Sequence, residues 1–127
     1  MQYFSVEELL LLHFKIIQDY GGSHGVRDEG RIESVVSAPW QEVFGQPQYA
    51  TVFEKAAVYL RNIIADHPFV DGNKRIGITV ATIFLTRNSR HLTATSGELE
   101  DFAIQVAVEH LDIPAIVDWL NGHSRKV

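Results

Sequence analysis

Nine consecutive residues, His67-Pro68-Phe69-Val70-Asp71-Gly72-Asn73-Lys74-Arg75, gather the parts of a catalytic site in one stretch of chain. His67 is the residue type whose ordinary pKa suits proton abstraction near neutral pH. Asp71 supplies a hard oxygen ligand of the kind Mg²⁺ uses beside substrate phosphates. Gly72 permits positive φ and leaves room for a phosphate to approach the backbone; Asn73 adds an amide donor. Lys74 and Arg75 add two positive charges where a helix should begin. Anions are favoured at such an end, and cations oppose the helix dipole there. A stability rule broken at one spot marks a functional site. Singly, each residue has a plainer use: His67 capping carbonyls at a helix end, Asp71 as a turn or cap residue, Gly72-Asn73 as a turn dipeptide, Lys74 and Arg75 as a solvated face. Their order and spacing point to chemistry.

The elements that must position this stretch read as helices. Ser5-Val6-Glu7-Glu8 predicts a capping box, followed by Leu9, Leu12, Ile16 and Tyr20 at helical spacing and a stop at Gly21-Gly22. Asp28 can cap a short helix carrying Ile32, Val35 and Val36 that stops at Pro39. Pro39–Ala50, with two prolines, a glycine and three aromatics, predicts an irregular or hairpin-like excursion. Thr51 with Glu54 predicts a second capping box, and Pro68 ends that helix close to His67. Gly72-Asn73 opens a helix whose run from Ile76 to Leu85 is apolar on nearly all sides, hence central. Thr95 with Glu98 predicts a third capping box, and Asp112 with Pro114 starts a last short helix ending at Trp119-Leu120. The expectation is an all-α fold, a single domain over residues 1–127. Arg27-Asp28 suits either a structural ion pair or cap, or a contact to the site. Arg87–Arg90 predicts the basic, fraying end of a helix. Trp40 and Trp119 are expected to pack.

Composition narrows the chemistry. Of 127 residues, 46% are apolar and 21% charged, the balance of a globular chain that can bury roughly two-thirds of its unfolded surface. There is no cysteine, which removes thiolate zinc sites, cysteine nucleophiles and disulfides, and suits the cytoplasm. His13, His24, His91, His110 and His123 show no i, i+4 pairing with another histidine, which argues against a zinc helix. Eleven basic residues against 16 acidic ones, a net charge of −5, argue against sequence-independent nucleic-acid binding. The N-terminus lacks the basic region of a signal peptide, and Leu9–Leu12 is too short to span a membrane.

The nine-residue segment resembles the Fic motif, His-x-Phe-x-Asp/Glu-Gly-Asn-x-Arg, and matches all six fixed positions. Lys74 between Asn and Arg, with Ile78 where a second arginine can stand, makes it similar to the Doc (death-on-curing) branch. Tyr20-Gly21-Gly22, Gly25–Ser34 and Glu54–Ala57 are similar to that branch too. The resemblance implies a Fic-type helical bundle with a flap, at Pro39–Ala50, that docks the target segment. It implies His67 as the base for a protein hydroxyl, Asp71 as the Mg²⁺ ligand and Gly72 and Asn73 as the anion hole. Lys74 and Arg75 would contact the phosphates of ATP, and Phe69 would anchor the loop in the core. It further implies a toxin that phosphorylates a translation elongation factor and is restrained by a separate antitoxin protein. Lys74 and Ile78 favour a reversed ATP, with the γ-phosphate in the hole and transferred as a kinase would transfer it. AMP transfer is the alternative. An RNA-cleaving toxin of the HEPN class is a further one, since Arg61-Asn62 and His67 fit its short signature, but it leaves Asp71–Arg75 without a role. An inactive binding module finds no support in the motif, whose positions are all filled, and Ser96 with Glu100 only nearly fits the family's inhibitory string because Asp101 follows, so that match reads as accidental.

Overall fold

Five of the six α-helices begin on a side chain that accepts a hydrogen bond from the first turn. They are α1 (Val6–Tyr20) on Ser5, α2 (Glu29–Ser37) on Asp28, α3 (Val52–Asp66) on Thr51, α5 (Ser96–Glu109) on Thr95 and α6 (Ile113–Gly122) on Asp112. The exception is α4 (Asn73–Arg87), whose N-cap Gly72 has no side chain to offer. The computed structural model describes residues 1–127. The capping boxes at Ser5 and Thr95 are complete. That at Thr51 is only half made: Glu54 N–H donates to the Thr51 hydroxyl, which in turn donates to the Glu54 carboxylate instead of leaving it for the Thr51 N–H.

The body is helical, as the apolar periodicity requires. α3 and α4 form its centre and bring Tyr59, Leu60, Ile63, Ile76, Val80 and Phe84 into one core with Leu9, Ile32, Phe102, Ile116 and Leu120 from the surrounding helices. Gly77 lets the two central helices approach closely. A Cβ there would lie 3.2 Å from both Leu60 Cδ1 and Ile64 Cγ1.

Two small antiparallel sheets complete the fold. β1 (Glu42–Val43) and β2 (Gln46–Pro47) make the expected hairpin, with Phe44 and Gly45 at its tip at φ +51° and +77°, the signs of a type I′ turn. α2 stops ahead of Pro39 as expected, and Pro39 lies in a 3₁₀ turn, Ala38–Trp40, before the hairpin. Lys55, buried at 5% exposure, donates to the Pro39 carbonyl at 2.8 Å and so ties the root of the hairpin to α3. β3 (Arg90–Leu92) pairs with β4 (Ser124–Lys126). The segment Arg87–Arg90 is therefore not a fraying helix end: Ser89 turns left-handed at φ +66° and starts a strand. Trp119 packs between the Phe102 and His123 rings, whereas Trp40 is 51% exposed rather than packed. No helix is long and apolar enough to cross a membrane.

Candidate active site

The segment between α3 and α4 is held in shape by bonds to its backbone from distant parts of the chain. His67 ends α3 in the left-handed conformation, φ +49°. The N–H groups of Arg27 and Asp28 donate to the Pro68 carbonyl at 2.8 and 3.2 Å, and Val70 N–H donates to the Gly25 carbonyl at 3.0 Å. Val26 and Phe69 form an isolated antiparallel bridge. The Arg31 guanidinium donates to the Asp66 carbonyl while pairing with Asp28, which also caps α2. Arg27 Nη1 reaches the His67 carbonyl at 3.4 Å. Asp28 is thus structural and Arg27 contacts the site.

Phe69 is buried at 1% exposure and anchors the loop. Asn73 accepts from Phe69 N–H through Oδ1 at 3.2 Å and donates to the Phe69 carbonyl through Nδ2 at 3.0 Å. Its side chain, expected to offer an amide to an anion, thus uses one of its two N–H donors on closing the loop. The backbone beside it offers more. The N–H groups of Asn73, Lys74 and Arg75 have no backbone or side-chain acceptor, and the first helical bond runs from Ile76 N–H to the Gly72 carbonyl. Three free donors at a helix N-terminus, flanked by exposed Lys74 and Arg75, make an anion cradle. The Arg75 guanidinium lies over the Tyr20 ring, 4.0 Å from its centroid.

Asp71 accepts from Ser23 N–H at 3.0 Å and from Gly72 N–H at 2.8 Å. These two bonds, Ser23 first, hold its carboxyl below the usual carboxylate range, so it is ionised at neutral pH. Two N–H bonds leave lone pairs on both oxygens. No cluster of three or more His, Cys, Asp or Glu side chains surrounds it. A lone ionised carboxylate beside an anion cradle fits Mg²⁺ shared with substrate phosphates, which needs few protein ligands. His13, which the sequence marked only as lacking a zinc-type partner, lies directly behind. It is buried at 4% exposure, its ring stacks on Phe69 at 3.8 Å and 5°, and Nε2 donates to the Asp71 carbonyl at 2.8 Å. Burial pushes its imidazole pKa down, with the Asp71 hydrogen bond acting in the opposite sense. Its place at i+4 from Leu9 and i−3 from Ile16 puts it on the inward face of α1, a signal the sequence did carry.

The motif lines two hollows. An open cleft of about 390 Å³ takes Asp71, Gly72, Asn73, Lys74 and Arg75, with α5 as its far wall. Ser96 and Glu100 are part of that wall. His67 lies outside this cleft, in a neighbouring hollow of about 280 Å³ with Arg61 and His110. Arg61 donates to Asn62 Oδ1 at 3.1 Å. The His67 ring is exposed, and its Nδ1 donates to the Ala65 carbonyl at 3.2 Å. That bond fixes the proton of the neutral ring on Nδ1 and leaves Nε2 with a free lone pair.

A helical body, a loop pinned between its two central helices and an uncapped helix end carrying both cations define the class, and the chain belongs to the Fic/DOC family, whose profile matches residues 3–85. It is 33% identical over 120 residues to the protein kinase doc of Escherichia phage P1, covering 94% of each chain. It is also 34% identical over 107 residues to the toxin Doc of Mycolicibacterium smegmatis, covering 83% of this chain and 82% of that one.

Proposed function

We propose that this chain is a toxin-type protein phosphotransferase that moves the γ-phosphate of ATP to a hydroxyl of a translation elongation factor, halting translation until an antitoxin restrains it. The observation that carries this is the His67 ring, whose Nδ1–H is committed to the Ala65 carbonyl and whose Nε2 is free to take a proton. The relatives' names, a protein kinase and a toxin, support it. So does the uncapped start of α4, which RNA cleavage would leave unexplained.

In the proposed reaction His67 Nε2 accepts the proton of the acceptor hydroxyl as its oxygen bonds to the γ-phosphorus. The bond from that phosphorus to the bridging oxygen breaks, and ADP leaves with the electron pair. The N–H groups at the start of α4 receive the γ-phosphoryl oxygens, and Lys74 and Arg75 offset the charge that develops, the main task in phosphoryl transfer. Asp71 would hold Mg²⁺, which when bound neutralises phosphate charge. The cytoplasm, where ATP and elongation factors are found, is the expected compartment.

The purified chain incubated with a bacterial lysate should label one protein from γ-³²P-ATP and none from α-³²P-ATP; the reverse pattern makes it an AMP transferase. His67→Ala should lose about 10²–10⁴-fold in rate with ATP affinity nearly kept. A variant retaining more than a third of the rate removes His67 as the base.

A further inference from the structure

His13 is far from the phosphate cradle in sequence and makes no approach to the cleft, yet it touches the motif at two points. Its ring lies flat on Phe69, the residue that pins the loop into the core. Its Nε2–H holds the carbonyl of Asp71. That carbonyl belongs to the Asp71–Gly72 peptide, whose N–H is in turn one of the two donors to the Asp71 carboxylate. Gly72 then turns left-handed, φ +78°, to start α4. Rotation of this one peptide plane would move the carboxylate's donor and the helix start together. A second constraint on the carboxylate comes from Ser23 N–H, which holds Oδ2.

We infer that His13 is a positioning residue for the metal ligand, its ring fixing the Asp71–Gly72 peptide so that the Asp71 carboxylate is presented to a divalent cation in one orientation. The proposal rests on the phosphotransferase reading for the cation's role, but the placement of the peptide is independent of it. Partners that orient a ligand in this way are typically worth about 10- to 100-fold in metal affinity or activity. A residue that merely fills the core would change stability and leave the Mg²⁺ requirement alone.

Three variants of the full chain separate these roles. His13→Phe keeps an aromatic stack on Phe69 and removes the donor. His13→Met serves the same purpose if the Phe variant does not fold. His13→Gln restores an N–H donor without the ring. In the metal-free chain, amide exchange followed by NMR should speed up about fivefold or more at Gly72 and Ser23 in the Phe variant, as loss of one hydrogen bond implies. The core amide of Ile63 should be unaffected. In the transfer assay with ATP, the half-saturating Mg²⁺ concentration should rise about 10- to 100-fold in the Phe variant and largely return in the Gln variant. Raising Mg²⁺ should make up the lost rate. Unchanged exchange at Gly72 and Ser23, or a Gln variant no better than Phe, overturns the assignment. A wild-type chain with no Mg²⁺-dependent transfer overturns the phosphotransferase reading instead, and the exchange rates then still decide what His13 holds.

Discussion

Gly21 and Gly22 both have positive φ, +89° and +114°, but only one of them touches the site. A Cβ on Gly22 would meet Asp71 Oδ2 at 2.7 Å, whereas nothing lies within 4 Å of one on Gly21. Alanine at either position carries backbone strain on the order of 1–3 kcal/mol. Alanine at Gly22 must also push the carboxylate off Ser23 N–H. Mg²⁺-dependent transfer should therefore fall about 10-fold or more in Gly22→Ala relative to Gly21→Ala, at similar melting temperatures. Equal activity in the two would remove Asp71 from its proposed role. The candidate residues themselves stood out in the sequence because proton transfer and anion binding demand particular residue types at close spacing. The residues that orient them did not. The spacing of His13 places it on the inward face of α1, but its contact with Asp71 across 58 positions, like that of Ser23 across 48, leaves no trace in the sequence. Asn73 carries a second duty for a related reason: its type announces a donor, but only the folded loop shows that one of its N–H groups closes on Phe69.

Helix starts were well marked because a cap is a local event of four residues, and each of the five starts expected on a capping side chain was found with it. The β3–β4 pair escaped notice because its two strands are three residues each and lie at separate places in the chain. Glu8 joins a cap to tertiary structure. It accepts from Ser5 N–H in the α1 box and from Arg87 at the far end of α4. Arg87, before the Ser5 bonds, holds the Glu8 carboxyl below its ordinary value of 4.5. A depressed carboxyl contributes stability above that ordinary value and loses it as pH falls through the folded one. Both partners are partly exposed, so Glu8→Gln, which keeps an oxygen for the cap and drops the charge, should cost only about 0.2–1 kcal/mol at pH 7. In urea titrations the gap between wild type and variant should narrow as pH drops below 4.5. A gap constant from pH 7 to pH 2 would mean the pair contributes nothing through its charge.

Across the whole molecule, packed and exposed parts are set apart. The α3–α4 centre excludes water, and the β1–β2 hairpin projects from it with Phe44 fully exposed at its tip. An aromatic ring with no contacts of its own contributes little to folding. Phe44→Ser should change stability by no more than about 0.5 kcal/mol. If the hairpin docks the protein substrate, transfer to that substrate should still fall about fivefold or more, with ATP binding unchanged. Full transfer in the variant would place the docking surface elsewhere. At the other end of α4 Gln2 and Val127 converge on a single turn. Gln2 N–H bonds to Asn88 Oδ1, Asn88 Nδ2 bonds back to the Gln2 carbonyl, and Val127 N–H bonds to the Ser89 carbonyl. Residues 2 and 127 are thus anchored on neighbouring residues, a gap that roughly four linker residues at about 3.5 Å each could cross. A peptide bridge could span that hydrogen-bonded junction. A polypeptide joined there from residue 127 to residue 2 and opened between Phe44 and Gly45 would begin and end at the hairpin tip while the His67–Arg75 loop stays uninterrupted.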